Sequence, residues 1–203
     1  MLPRIHCITD LPAHDEAALD LLASLVEAGV DAVQVRAKGL GDRELLAFGR
    51  AVLHRLSGTA ATVIVNDRID IALAASAHGV HLGLDDLPVA DARRLAPQGF
   101  LIGATCRDAE HARAAKAAGA DYAGVGPVYP STTKAGLPDP IGLDTLQETA
   151  AVLPAIAISG ITAQRVPEVM AAGVHGVAVA AALCRSADPP LAAKELVAAV
   201  AGS

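Results

Sequence analysis

One pattern of small, glycine and apolar positions recurs four times along the chain. Each instance is a run of small residues typical of a helix end, then a glycine, then a short run rich in Val, Ile and Ala. Glycine just past a helix is the usual left-handed stop signal, and the apolar run that follows predicts a buried strand. The instances are EAGVDAVQVR (27–36), SAHGVHLG (76–83), KAAGADYAGVGP (116–127) and MAAGVHGVAVA (170–180).

The spacing of these instances predicts the architecture. The glycines at 29, 79, 119 and 173 are 50, 40 and 54 residues apart, which leaves room for a second strand in each interval. The remaining strands are predicted at IHCIT (5–9), TVIVN (62–66), FLIGAT (100–105) and AIAIS (155–159), and helices at 18–28, 42–56, 108–118 and 191–201. Eight parallel strands with crossover helices predict an α/β fold, a single-domain (β/α)8 TIM barrel over residues 1–203, rather than an open doubly wound sheet.

Polar side chains at the C-terminal ends of the strands are the first candidates for chemistry, because barrels build their sites there. Gln34, Arg36 and Lys38 occupy every second position at the end of the second strand, so strand geometry places them on one face. An amide, a guanidinium and an ammonium that converge would bind a phosphate or a diphosphate. A solvated strand end is the alternative.

Carboxylates follow the next two strands. Asp67 comes after the third strand, beside Asn66, and Asp86 comes after the fourth. Oxygen ligands next to a phosphate site favour Mg²⁺, which takes one or two carboxylates together with substrate oxygens. We therefore predict Asp67 and Asp86 as Mg²⁺ ligands. Helix capping is the alternative, and it suits Asp85 in particular.

The last three strands predict a second anion site. The sixth strand leads into a long loop that carries Ser131, Thr133 and Lys134 and is able to act as a lid. Gly160, after the seventh strand, lets backbone N–H groups approach a ligand, and the eighth strand ends at residues 180–182, where barrels commonly bind phosphate. Two phosphorylated substrates, or one long bisphosphate, would fit.

Composition and charge narrow the function. A net charge of −6 and only two Tyr, two Phe and no Trp disfavour a nucleic-acid partner. No apolar stretch reaches the ~20 residues of a membrane span. Cys7, Cys106 and Cys184 form neither a disulfide framework nor a zinc motif, and the start MLPRIHCITD lacks the apolar core of a signal peptide. We therefore expect a cytoplasmic protein with small-molecule partners, no nucleic acid and no membrane.

The motifs together resemble a known family. VQVRAK, VNDRIDIAL, GVHLGLDDLP, GADYAGVGPVYPSTTK and AISGIT, in this order and spacing, are similar to those of thiamine phosphate synthase and its paralogue, thiazole tautomerase. The resemblance covers nearly the whole chain and implies a TIM barrel. It also implies a transferase that condenses 4-amino-5-hydroxymethyl-2-methylpyrimidine diphosphate with thiazole phosphate, giving thiamine phosphate and pyrophosphate. In the family the diphosphate leaves first, which generates a pyrimidinylmethyl cation.

The resemblance implies a role for each matching residue. Arg36, Lys38 and Lys134 match groups that act on the diphosphate, and we expect them to be catalytic. Asp67 and Asp86 match the Mg²⁺ ligands. The residues expected to bind substrate are Gln34, Arg36, Lys38, Asn66, Thr105, Ser131, Thr133, Lys134, Gly160, Ala180 and Ala181. The two tyrosines, Tyr122 and Tyr129, are predicted to border a heterocycle.

Four positions depart from the family pattern. Leu84 stands for the glutamine of HLGQED, Arg107 for the histidine of GVSxH, Ser159 for one glycine of AIGGI, and Ala181 for a serine after the last strand. Two alternatives stay open beside the synthase: a tautomerase-like or otherwise divergent paralogue that acts on thiazole phosphate, and a non-catalytic thiazole-phosphate-binding protein. A homo-oligomer also stays open.

Overall fold

The computed structural model describes residues 1–11, 13–131 and 136–203. Strands and helices alternate along these residues. The strands are β1 (Ile5–Ile8), β2 (Ala32–Val35), β3 (Thr62–Asn66), β4 (Gly79–Leu82), β5 (Leu101–Cys106), β6 (Tyr122–Val125), β7 (Ala155–Ile158) and β8 (Gly176–Val179). The helices are α1 (Glu16–Glu27), α2 (Asp42–Arg55), α3 (Ile69–Ala75), α4 (Val89–Leu95), α5 (Ala109–Ala118), α6 (Gly142–Ala150), α7 (Val166–Ala171), α8 (Ala181–Cys184) and α9 (Pro189–Ala201).

The strands close into one parallel barrel in chain order, and β8 returns to pair with β1. The register runs from His6 opposite Ala32 to Ala32 opposite Thr62, and it closes with His6 opposite Ala178. The predicted TIM barrel is therefore confirmed against the open sheet. Each predicted strand begins at or within one residue of the observed strand.

The helices form where an apolar stripe follows a capping residue. In α1 the apolar positions Leu19, Leu22 and Leu25 fall on one face and are buried against the strands. This helix begins before the predicted start at 18, because the Asp15 side chain accepts a hydrogen bond from the Ala18 N–H at 3.1 Å and so caps the first turn.

Three of the four recurring glycines act as predicted. Gly29, Gly119 and Gly173 have positive φ angles of 107°, 98° and 79° just past a helix. The prediction for Gly79 is wrong, because this glycine is the first residue of β4 and Ser76, at φ 62°, ends the preceding helix. Gly79 serves close packing instead, since a Cβ there would lie 2.6 Å from the carbonyl oxygen of Leu101.

Alternation along the strands divides the apolar residues into two cores. Residues that point outward pack against the helices in the larger core, and residues that point inward fill the lower part of the lumen. The inner core consists of Ile8, Ala32, Ile64, Tyr122, Ile156 and Ala178. Above it the lumen opens toward the C-terminal ends of the strands. Among the described residues, no helix is long and apolar enough to cross a membrane.

Candidate active site

A cavity of about 790 Å³ lies at the C-terminal end of the barrel, and each of the eight strands contributes to its wall. This volume is in the range of small-molecule sites. Every predicted site residue that the structure describes lines it, as do the two predicted Mg²⁺ ligands. These residues are Gln34, Arg36, Lys38, Asn66, Asp67, Asp86, Thr105, Ser131, Gly160, Ala180 and Ala181. Thr133 and Lys134 lie outside the described residues.

The predicted cationic group lies on one wall. Gln34 is buried near the end of β2, and Arg36 and Lys38 follow it. β2 ends at Val35, so Arg36 and Lys38 lie beyond the strand and alternation along it does not place them. The three side chains line the same cavity nevertheless. Thr9, after β1, holds this segment: its hydroxyl donates to the carbonyl of Arg36 and accepts from the Arg36 N–H, both at 2.7 Å.

The two carboxylates are held by the backbone around them. Asp67 has a positive φ of 66°, and its N–H donates to the carbonyl of His81 at 2.8 Å, so the residue is fixed in a left-handed turn after β3 that is tied to β4. The Asp86 carboxylate accepts from the Gly83 N–H at 2.6 Å. A Cβ at Gly83 would lie 2.9 Å from that carboxylate oxygen, so a larger residue there would displace the Asp86 carboxylate.

Asp67 and Asp86 also act on each other. Burial, a hydrogen bond shared with Asp86 and the charge of Asp86 raise the pKa of Asp67 to about 6, although Lys38 and Arg36 oppose the rise. Two carboxylates in contact are suited to share a proton or a cation. Among the described residues, no group of three or more His, Cys, Asp or Glu side chains is arranged to hold a metal ion. A cation bound here would therefore need oxygen atoms of a bound substrate in addition to the carboxylates of Asp67 and Asp86.

A neighbouring charged residue has a structural role. Arg68 donates to Asp42 at 2.6 Å and to Asp70 at 2.9 and 2.6 Å, and these two acids raise its pKa further. Arg68 thus ties the start of α3 to the start of α2. Asn66, two residues before it, lines the cavity.

A hydrogen-bonded row of side chains forms the floor of the cavity. The His81 ring is 3.2 Å from the Tyr122 hydroxyl through Nδ1 and 3.1 Å from the Thr105 hydroxyl through Nε2. Burial, together with the nearby His6, lowers the pKa of His81 to about 4 against the effect of Asp86, so the ring is neutral at pH 7. His81 and Thr105 line the cavity, as does Gly124 beside them.

The wall formed by β7 and β8 is built mostly from backbone and small side chains. Ser159 and Gly160 both have positive φ angles, of 81° and 68°, which turns the chain sharply after β7. Ala180 and Ala181 complete this wall, and Ser131 faces it from the loop after β6. The described residues of the predicted second anion site thus line one side of the cavity, while the site and the roles of these residues stay predictions.

Two cationic side chains reach the cavity that the sequence reasoning did not assign to it. Arg165, just before α7, donates from Nη1 to the Gly160 carbonyl at 2.6 Å, and its guanidinium carbon lies 4.3 Å from the centre of the Tyr129 ring. Arg107, after β5, donates to the carbonyl of Asp139 at 3.0 Å. Arg107 directly follows β5 and could have been found from its place at a strand end, whereas Arg165 lies seven residues beyond the end of β7.

The prediction for the tyrosines is wrong for Tyr122, whose ring is inside the lumen with 1% of its surface exposed. Gly103 and Gly124 make the space for the rings: a Cβ at Gly103 would lie 2.1 Å from Tyr122 Cζ, and one at Gly124 2.5 Å from His81 Cε1. Tyr129 stacks on Arg165 and donates to Glu168.

Comparison with known proteins decides the family. The sequence matches the thiamine monophosphate synthase family over residues 5–183. The chain belongs to this family. It is 46% identical to a thiamine-phosphate synthase of Salinispora arenicola over 97% of this chain and 96% of that one. It is 44% identical to a thiamine-phosphate synthase of Methanoculleus marisnigri over 87% of this chain and 85% of the other.

A solved structure agrees with the sequence relatives. The thiamine phosphate pyrophosphorylase of Pyrococcus furiosus superposes with a TM-score of 0.88 at 33% identity, over 98% of this chain and 96% of that one. The resemblance drawn from the motifs is thereby confirmed, and so is the assignment to the synthase class of transferases. Arg165 is a residue of the cavity wall that the motif comparison did not reveal.

Proposed function

We propose that the protein is a thiamine-phosphate synthase that works by a dissociative, Mg²⁺-assisted substitution. The C–O bond of the pyrimidine diphosphate breaks first, and its electron pair leaves with pyrophosphate. The ring nitrogen of thiazole phosphate then donates its lone pair to the pyrimidinylmethyl cation, which forms the C–N bond of thiamine phosphate. The observation that carries the proposal is the convergence of Gln34, Arg36, Lys38, Asp67 and Asp86 in one cavity of about 790 Å³.

The cationic wall supports departure of the diphosphate. Negative charge on the leaving oxygen grows as the C–O bond breaks, so a fixed positive charge nearby stabilises the transition state more than the substrate. Arg36 is suited to bind two phosphate oxygens in parallel, and Lys38 acts as a point charge. Gln34 adds an amide donor from its buried position on β2. Lys134, outside the described residues, is assigned to the same group by the family motif.

The carboxylate pair supports the metal. Asp67 and Asp86 would hold Mg²⁺ together with diphosphate oxygens, which agrees with the one or two carboxylates that this ion takes in phosphate sites. Burial and the contact with the Asp86 carboxylate raise the pKa of Asp67 to about 6, and a divalent cation would relieve the repulsion between the two carboxylates. When bound, Mg²⁺ neutralises charge on the departing diphosphate. Glycine at 83 keeps the space that the Asp86 carboxylate occupies.

The opposite wall supports the second substrate. Gly160, Ala180 and Ala181 offer backbone groups, and Ser131 with Thr133 is assigned hydroxyl contacts to the thiazole phosphate by the family motif. Arg165 adds a charge on this side, where its guanidinium is already oriented by Gly160 and Tyr129. Apolar side chains around the mouth, among them Leu84, also line the cavity and reduce the water available to a reactive cation.

The cellular location of the enzyme is part of the same proposal. Cys7, Cys106 and Cys184 are all free, and the sulfur atoms of Cys7 and Cys184 are only 3.7 Å apart without a bond between them. Thiols so close together stay reduced in a reducing compartment, so we place the enzyme in the cytoplasm.

The test is incubation of the protein with both substrates and Mg²⁺ while pyrophosphate release and thiamine phosphate formation are followed in parallel. Equal amounts of both products are expected. Arg36→Met should lower turnover by at least ~100-fold, since it removes a charge partner of the transition state. Arg43→Met, the same change at an exposed position of α2, is the matched control.

Other outcomes would identify the alternatives. Binding of thiazole phosphate without pyrophosphate release would contradict the synthase and indicate a non-catalytic binding protein. Conversion of thiazole phosphate in the absence of the pyrimidine substrate would indicate a tautomerase-like paralogue. Equal activity of Arg36→Met and Arg43→Met would contradict the assignment of the diphosphate wall.

A further inference from the structure

Three side chains on neighbouring strands form a row that ends in the cavity. Tyr122 is at the start of β6, His81 is on β4, and Thr105 is on β5 between them. The Tyr122 hydroxyl is 3.2 Å from His81 Nδ1, and His81 Nε2 is 3.1 Å from the Thr105 hydroxyl. The row therefore runs from the closed lumen to a residue on the cavity wall.

The barrel is built to hold this row. The His81 and Tyr122 rings stack with centroids 5.6 Å apart and an interplanar angle of 30°. No side chain fits at positions 103 and 124, where a Cβ would lie 2.6 Å from Nδ1 and 2.5 Å from Cε1 of His81, respectively. The imidazole is thus confined on both sides, and its two nitrogens are aimed at fixed partners.

The direction of the hydrogen bonds follows from burial. The Tyr122 side chain is 1% exposed, and burial raises the pKa of its hydroxyl, which therefore keeps its proton. Among the described residues, His81 Nδ1 is the acceptor that the structure gives this hydroxyl. A buried donor needs an acceptor, so Tyr122 donates and Nδ1 is unprotonated. The single N–H of the neutral imidazole is then on Nε2.

The consequence reaches the cavity through Thr105. The Nε2–H of His81 donates to the Thr105 oxygen. The proton of the Thr105 hydroxyl is therefore not used in the bond to His81. A protonated imidazole would also donate from Nε2, so the role of Thr105 is the same in both charge states. The reverse direction would need a proton on Nδ1, and the buried Tyr122 hydroxyl would then lose its acceptor.

We infer that Tyr122 and His81 are positioning residues that fix Thr105 as a hydrogen-bond donor toward an acceptor atom of the pyrimidine diphosphate. The identity of the ligand rests on the proposed function, whereas the direction of the hydrogen bonds rests on the row of side chains alone. It gives the site a preference: the Thr105 proton is available to a ligand atom that carries a lone pair, whereas an analogue with an N–H at that position leaves this proton without its partner.

The direction is tested on the protein without substrate. Nitrogen-15 NMR of histidine-labelled protein reports which ring nitrogen carries the proton, and the His81 signals are those lost in His81→Gln. We expect protonation at Nε2 in the wild type and a mixture of tautomers in Tyr122→Phe. Tyr129→Phe, which removes a hydroxyl bonded to Glu168 outside the row, should leave the His81 signals unchanged. A proton on Nδ1 in the wild type, or no effect of Tyr122→Phe, would overturn the inference.

The consequence for catalysis is tested by a double-mutant cycle. Thr105→Val should lower kcat/KM for the pyrimidine diphosphate about 10-fold, and Tyr122→Phe about 3-fold, as expected for loss and for misdirection of one hydrogen bond. The double variant should match Thr105→Val, because Tyr122 acts only through Thr105, and Thr105→Ser should retain the wild-type value. Additive losses would overturn the inference. Absence of synthase activity would contradict the proposed function, and the NMR result would then decide the inference by itself.

Discussion

Replacement of Asp67 by asparagine is expected to make the protein more stable while abolishing its activity. The Asp67 carboxyl group is half-buried and shares a hydrogen bond with Asp86, and its pKa is raised to about 6. Above that pH both carboxylates are charged, so the folded protein contains a repulsion that the unfolded chain lacks. Asparagine has nearly the same shape without the charge, and it tolerates the positive φ of 66° at this position.

The magnitude follows from the pKa. A carboxyl group with a raised pKa binds its proton more tightly in the folded state, so its ionisation lowers the free energy of unfolding as the pH rises from about 4 to about 6. A change from 3.8 to about 6 corresponds to ~3 kcal/mol for a fully buried group. Because Asp67 is only half-buried, solvent screening reduces the effect to ~1 kcal/mol.

Urea unfolding at two pH values, with EDTA present, measures this effect. At pH 7.5 the free energy of unfolding of Asp67→Asn should exceed that of the wild type by ~1 kcal/mol, and at pH 4.5 the two should nearly agree. Added Mg²⁺ should stabilise the wild type with increasing concentration and have a much smaller effect on the variant. Pyrophosphate release by the variant should fall by at least ~100-fold.

The matched control is Asp85→Asn, which removes the same charge from the loop after β4, next to Asp86, but leaves the pair of Asp67 and Asp86 intact. This control should not reproduce the pH-dependent gain. A variant Asp67→Asn that is less stable than the wild type at pH 7.5 would refute the reasoning. So would an equal gain at both pH values, because ionisation could not then be its cause.

Three further changes test other parts of the structure. Arg165→Met should raise KM for thiazole phosphate about 10-fold in steady-state kinetics, as for loss of one charge-assisted contact, and a selective rise for the pyrimidine diphosphate would contradict this. Burial lowers the pKa of His6 to about 4, so the unfolded chain takes up a proton below pH 6.5 that the folded protein does not, and stability should fall by up to about 3 kcal/mol as the pH drops to 4. The free energy of unfolding of His6→Gln, measured with urea, should fall less over the same pH range than that of the wild type. An equal fall in the two proteins would exclude His6 as a cause. Gly103→Ala should destabilise the protein by ~3 kcal/mol because its Cβ would overlap Tyr122. Gly49→Ala in α2 should not, because its Cβ would lie at ordinary contact distance, 3.8 Å from the Cβ of Ala75; thermal unfolding compares the two variants.

The parts of the site that could be predicted are those governed by strand geometry. Gln34, Asp67 and Asp86 were found because the C-terminal ends of parallel strands meet at one end of a closed barrel. That rule needs only the order and number of strands, which the recurring apolar pattern supplied. The same rule places Thr105 in the cavity, although the sequence reasoning reached it through the family motif.

The parts that could not be predicted depend on packing between distant segments. Arg165 reaches the cavity because its side chain folds back to Gly160 and stacks on Tyr129, and no periodic pattern marks such a contact. The burial of Tyr122 depends on Gly103, a glycine on the neighbouring strand. At the end of α3, Ser76 adopts the left-handed turn that the pattern assigned to glycine, since tertiary contacts outweigh the local preference.

The filled lower lumen has a consequence for the order of events during turnover. Tyr122 and His6 are almost fully buried below the cavity, so the described residues leave the mouth of the barrel as the way in and out for ligands. Two substrates and two products must therefore share a single passage. We therefore expect the substrate that sits against the floor formed by His81 and Thr105 to bind first. Product-inhibition kinetics would show random addition if the two walls are instead filled independently.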